Sequence, residues 1–160
     1  MTARTESAKF SSLTISAVEG PGEVVSIGKD YRTRDGVSVR KVAYLQDSVS
    51  AKDALYQAVL TALTAAARAD VRRFTVYVDD PQVAAELARR APIPPKLQPI
   101  GVQVRCRANA LGRVRFCEAD PGRTATTREL ARQALAVGQP ISLALESPRL
   151  PLGLSGGPVA

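Results

Sequence analysis

The sequence predicts an α/β protein on a mixed five-stranded sheet: three antiparallel hairpin-linked strands, then parallel strands, with helices flanking the sheet. Three observations carry this. Phe74, Val76 and Val78 alternate with Thr75 and Tyr77, and the run ends on Asp79-Asp80-Pro81, after which Val83, Ala84, Leu87 and Ala88 recur at helical spacing. This is a strand feeding a helix, with Asp80 as N-cap and Pro81 at the first helical position. The first third of the chain holds alternating apolar runs separated by turn residues, the mark of hairpins. After residue 50 helical and strand-like stretches interleave, as crossovers to parallel strands require.

Taken in order, residues 1–9 are polar and expected to be flexible. Ser11 to Val18 places Leu13 and Ile15 between polar residues and reads as the first strand. The breakers in Glu19-Gly20-Pro21-Gly22 end it. Glu23 to Tyr31 and Val37 to Leu45 are the second and third strands, joined through Thr33-Arg34-Asp35-Gly36, whose Asp-Gly pair is a tight-hairpin signal. The apolar alternation slips between Val39 and Val42, which predicts a β-bulge there. Ser50 then caps a helix with Asp53 in its first turn, and Leu55, Val59, Ala62, Leu63 and Ala66 form its apolar stripe.

The helix that follows the central strand runs toward Arg90 and is stopped by the stiff Ala91-Pro92-Ile93-Pro94-Pro95. Residues 101–112 fit two readings. Gly101 to Cys106 alternates like a strand of a hairpin, whereas Leu97, Ile100, Val104, Ala108 and Leu111 keep helical spacing, and Gly112 as terminator favours the helix. Arg113 to Glu118 reads as the last strand, ADPGRTAT as a polar loop, and Thr126 to Val137 as the last helix. Residues 138–160, rich in Pro and Gly, read as an extended tail beyond a domain at 10–137. There is no internal repeat.

Composition limits the chemistry. With no histidine and two cysteines, Cys106 and Cys117, in no metal-binding spacing, the chain has neither a zinc site nor a histidine-based triad. No apolar run could span a bilayer and the first residues lack a signal-peptide core, so a cytoplasmic protein with no membrane partner is expected. The formal charge of +7 has two readings, arginine-rich base composition or affinity for polyanions such as nucleic acid.

Three local matches give the order of elements a family. Ala54-Leu55-Tyr56-Gln57-Ala58-Val59-Leu60 is similar to Ala-Glu-Tyr-x-Ala-Leu-Ile. Asp79-Asp80-Pro81-Gln82-Val83 is similar to x-Asp-Ser-Gln-x, and Arg128-Glu129-Leu130-Ala131-Arg132 to Asp-Glu-Leu-Ala-Arg. Over roughly residues 13–137 the chain resembles the ribonuclease H-like superfamily. That resemblance implies cleavage of RNA paired to DNA by two divalent metals about 4 Å apart, which need several anionic oxygen ligands. Carried over residue by residue, the ligand positions fall near Ser16 or Ala17, and at Leu55, Asp80 and Arg128, so one carboxylate of four remains. The resemblance therefore implies the fold without the reaction, and no cofactor.

Asp79 and Asp80 are the candidate catalytic residues and Asp80 the candidate metal ligand, set against simple N-capping by the Asp before Pro. Glu19, Glu118 and Asp120 could supply displaced carboxylates, against ordinary solvated loop charge; with them, a Mg- or Mn-dependent nuclease acting on RNA–DNA hybrids is the alternative. Arg105, Arg107, Arg113, Arg115, Arg123, Arg128 and Arg132 form the candidate nucleic-acid surface, since guanidinium forks onto phosphate; scattered surface ion pairs are the bland reading. The leading expectation is a catalytically degenerate module that binds nucleic acid or a protein partner. A third reading is a structural homo-oligomer formed through a sheet edge or the tail.

Overall fold

A computed structural model describes residues 10–22, 24–45 and 50–137. The elements are β1 (Phe10–Gly20), β2 (Val24–Thr33), β3 (Ser38–Leu45), α1 (Ala51–Arg68), β4 (Arg73–Val78) and α2 (Pro81–Leu87). A 3-10 turn (Pro95–Leu97), α3 (Gln98–Leu111), β5 (Arg113–Glu118) and α4 (Pro121–Val137) complete them. One sheet has the order β3-β2-β1-β4-β5. β1, β2 and β3 pair antiparallel, while β4 is parallel to β1 and β5 parallel to β4. The expected N-terminal segment 1–9 and tail 138–160 lie outside the described residues.

Strand alternation sorts the sheet into two chemically different faces. Leu13, Ile15, Val25, Ile27, Phe74, Val76, Val78 and Phe116 point to one face and join Leu55, Val59, Leu63 of α1 and Val104, Leu111 of α3 in the main core. The opposite face is polar, with Ser16, Ser26 and Asp30 buried on it, and α4 covers it over β1, β2 and β3. A small second cluster, Val42 with Leu130 and Ala134, seals α4 to β3.

That two-sided burial corrects one expectation. β2 and β3 keep an unbroken register from Val25↔Leu45 to Arg32↔Ser38, so no bulge separates Val39 from Val42. Val39 packs on the main core and Val42 on α4, so the apparent slip in alternation is one strand serving both faces. The register shift lies instead in β1, between Phe10 and Ser12.

Local chemistry sets most boundaries. The Ser50 hydroxyl accepts from Asp53 N–H (3.1 Å), and Asp80 Oδ1 accepts from Gln82 N–H (2.9 Å) and Val83 N–H (3.2 Å). Gly36, at φ 92°, closes the β2–β3 turn through its N–H to Thr33 O (3.2 Å). Residues 98–111 are helical and not a hairpin, ended by Gly112. α2 stops at Leu87, short of Arg90, because Arg89 turns into the left-handed region (φ 64°) and Arg90 N–H reaches back to Ala85 O (2.8 Å).

The last helix begins at Pro121, not Thr126. Asp120 Oδ1 caps it by accepting from Arg123 N–H (2.9 Å), and Thr124 and Thr127 are buried against the sheet. Packing of those threonines overrides their weak helix propensity. No helix among the described residues is long and apolar enough to cross a membrane.

Candidate functional site

β1 and β4 run parallel through Ile15↔Val78, and Asp79 N–H donates to Ile15 O (3.0 Å). Ser16 and Asp79 therefore leave the strand pair side by side, at the carboxyl ends where α/β sheets place their ligands. Across from Ser16 stands Gly28, the residue that lets α4 descend onto the sheet: a Cβ built there would lie 2.0 Å from Thr127 O. Thr127 thereby meets Ser16, hydroxyl to hydroxyl, at 2.6 Å. The single Thr127 hydroxyl proton goes to Thr124 O (3.1 Å), so Ser16 is the donor of the pair.

One residue further along α4, Arg128 forks onto Asp79, with Nε to Oδ2 and Nη2 to Oδ1 both at 2.6 Å. The Asp79 side chain is 11% exposed and that of Arg128 47%. Hydrogen bonding to the Asp79 carboxylate, and its charge, hold the guanidinium pKa above its ordinary value.

The other candidate carboxylates have separate tasks. Asp80, the position carried over from the resemblance, turns away into the cap of α2, and Asp79 is the carboxylate that faces Ser16 and α4. Leu55 is core. Glu19 Oε2 accepts from Ala51 N–H (3.1 Å) at the head of α1, Asp120 heads α4, and Glu118 is exposed at the end of β5. Among the described residues no three Cys, Asp or Glu side chains gather closely enough to hold a metal ion. Cys106 and Cys117 are free thiols.

The seven arginines are distributed over α3, β5 and α4. α4 covers β1 to β3 and leaves the same face of β4 and β5 open. Here the register sets Arg73 opposite Arg113 and Thr75 opposite Arg115, and the Arg123 guanidinium lies 3.8 Å from the centre of the Tyr77 ring. Arg113, Arg115 and Arg123 thus share a face, joined by Arg73, which sequence reasoning missed although its alternation with Phe74 carries the signal. On the neighbouring strands, Arg32 and Arg40 turn toward buried Asp30 (3.0 and 3.9 Å). Arg128 is spent on Asp79, and Arg132 lies 3.8 Å from Glu129. Arg105 and exposed Arg107 belong to α3, with Arg105 Nη2 donating to Glu86 O (2.8 Å).

No known protein-family model matches the chain. No curated protein matches it. Solved structures do. RNase H1 from the halophilic archaeon Halobacterium salinarum superposes with a TM-score of 0.68 at 18% identity, over 79% of this chain and 97% of that one. The N-terminal RNase H domain of a Mycobacterium tuberculosis protein, as a fusion with maltose binding protein, gives 0.64 at 18% identity over 79% and 94%. LC11-RNase H1 in complex with an RNA/DNA hybrid gives 0.68 at 14% identity over 79% and 97%.

The fold is ribonuclease H-like.

Within this ribonuclease H-like frame, a second polar cluster lies buried beside α1. Glu86 is fully buried, yet its Oε1 accepts from Tyr56 Oη (2.6 Å) and its Oε2 from Lys52 Nζ (2.8 Å) and Gln82 Nε2 (2.9 Å). Burial pushes the carboxyl pKa up, but the bonds from Lys52, Tyr56 and Gln82 outweigh it and hold the group below its ordinary value. Burial, with the Glu86 hydrogen bond, drives the Tyr56 hydroxyl pKa upward, so Tyr56 remains a donor. This network ties α1 to α2 behind the central strand, and no periodicity in the sequence marked it.

Proposed function

We propose that this ribonuclease H-like domain binds nucleic acid through its phosphates, without metal and without cleaving it. The observation that carries the reading is the Asp79–Arg128 fork. Two-metal chemistry needs several carboxylates converging on cations about 4 Å apart. At this convergence stand one carboxylate already neutralised by a guanidinium and a neutral Ser16 committed to Thr127. A pair of divalent ions does not fit that donor set, and a fixed cation beside it would repel them.

The open face of β4 and β5 supports the binding half of the proposal. Arg73 and Arg113 sit directly opposite each other, a like-charge pairing that weakens a sheet unless an anion offsets it. Arg73, Arg113 and Arg115 have no ion pair among the described residues. Guanidinium groups on a sheet face suit phosphate oxygens, and Tyr77 is the one ring on that face among the described residues. A solved structure of the same fold, LC11-RNase H1, is a complex with an RNA/DNA hybrid.

The test is affinity for duplex DNA, RNA–DNA hybrid and single strands across a salt series, with EDTA or with Mg²⁺. Four phosphate contacts predict a log–log salt slope of about −3.6 on duplex, unchanged by EDTA. Binding that is absent in dilute salt, or flat in salt, removes the proposal. Hybrid cleavage in Mg²⁺ or Mn²⁺ that disappears in Asp79→Asn replaces it with a nuclease.

A further inference from the structure

The outer edge of β5 carries a groove of about 330 Å³, walled by the end of α2 and by α3. Arg89, Arg90, Arg105 and Arg115 line it together with Asn109 and Cys117, and none of its lining residues is acidic. None of the four arginines has an ion pair among the described residues. Four arginines and no carboxylate around one open groove concentrate positive charge there, which an entering anion offsets.

How each arginine arrives there matters. Arg89 occupies the left-handed position after α2 (φ 64°), where glycine is ordinarily preferred, so an arginine there is conformationally unfavourable. Arg105 is pinned by its Nη2 bond to Glu86 O (2.8 Å), and its Nε is buried with no partner. Arg115 is exposed on β5, which has no neighbouring strand on its outer side among the described residues. Arg115 also belongs to the open β4–β5 face, so groove and face are continuous through it.

We infer that this groove holds the phosphodiester backbone of a single nucleic-acid strand as it passes over the outer edge of β5. The inference rests on the nucleic-acid reading above and adds a second contact region to it. Phosphate is the favoured ligand because guanidinium forks match its oxygens. The ring in the lining, Phe116, is 8% exposed and offers bases no platform. An acidic protein segment would need an exposed apolar anchor that this groove lacks. Recognition here is therefore of the backbone and indifferent to base sequence.

The experiment is fluorescence anisotropy of a labelled oligothymidylate with the full chain, over a salt series. Arg89→Asn with Arg90→Gln removes two groove charges and keeps a residue that tolerates the left-handed turn. Arg34→Gln with Arg68→Gln removes two exposed charges elsewhere, and Arg73→Gln with Arg113→Gln tests the open face. The groove pair is expected to weaken binding about tenfold and to flatten the salt slope by about 1.4, while the Arg34/Arg68 pair stays within about twofold. The strand should also slow alkylation of Cys117 without slowing that of exposed Cys106. A groove pair no weaker than the Arg34/Arg68 pair, with Arg73/Arg113 still weakening binding, overturns the groove and leaves the nucleic-acid reading intact. No binding by the unmodified chain in dilute salt overturns both.

Discussion

Substituting Gly28 by alanine sets two ordinary effects against each other. On an unstrained strand position, Gly→Ala stabilises by about 0.4–1 kcal/mol because the unfolded chain loses freedom. Here the added Cβ would meet Thr127 O at 2.0 Å, Thr127 C at 2.9 Å and Thr127 Cα at 3.2 Å. All three are backbone atoms of α4, so no side-chain rotation relieves the contact. Restoring ordinary contact, near 3.4 Å, requires α4 to retreat about 1.4 Å from β2.

A retreat of that size breaks the 2.6 Å Ser16–Thr127 bond and loosens Leu130 and Ala134 from Val42. Overpacking costs about 1–3 kcal/mol and the buried hydrogen bond about 1 kcal/mol, so the net loss is about 2 kcal/mol after the entropic gain. Against a total stability of about 5–15 kcal/mol this is large. Urea unfolding followed by circular dichroism should show a midpoint lowered by roughly 1–2 M at an unchanged slope. A loss below about 1 kcal/mol, or any stabilisation, refutes the claim that Gly28 is what admits α4.

Other perturbations test the buried Glu86 cluster and the Asp79–Arg128 pair. Glu86 has a folded pKa below its ordinary value of 4.5, so its stabilising contribution is complete above that value and is lost as pH falls through the folded one. Urea midpoints at neutral and at strongly acid pH should therefore fall more for the unmodified protein than for Glu86→Gln; equal falls would refute this. Glu86→Ala strands Tyr56, Lys52 and Gln82 and should cost about 3–5 kcal/mol at neutral pH. A double-mutant cycle of Asp79→Asn and Arg128→Gln should give a coupling of about 1–2 kcal/mol, limited by the half-exposed guanidinium and reduced in high salt. A coupling near zero would mean that the fork is not a fixed feature of the site.

Much of the fold is legible residue by residue. The Asp-Gly turn, the Ser50 and Asp80 caps, the helical spacing of Leu97 to Leu111 and its Gly112 stop are all local chemistry, and the structure reproduces them. One legible signal was overlooked: Asp120-Pro121 repeats the Asp80-Pro81 pattern, and a helix begins at each. Gly122 and the following threonines disguised it, being weak helix formers; Thr124 and Thr127 are stabilised here by burial.

The candidate site was less legible, because its chemistry depends on which of two adjacent side chains faces which layer. Neighbouring residues at a strand end point in different directions, and a sequence that singled out Asp80 as cap and candidate ligand did not reveal that Asp79 would meet α4. Similarly, the arginines of residues 105–132 are close in sequence but are distributed over α3, β5 and α4.

By itself the sequence determined the order of strands and helices and their caps and turns, since each of these is set within a few residues. Only the tertiary structure decided that Arg128 would close on Asp79, that Arg73 would stand beside Arg113, and that Arg89 and Arg90 would share a groove with Arg105 and Arg115. Those pairings depend on parallel register and on a helix admitted by one missing Cβ, contacts between residues far apart in the chain that no local pattern encodes.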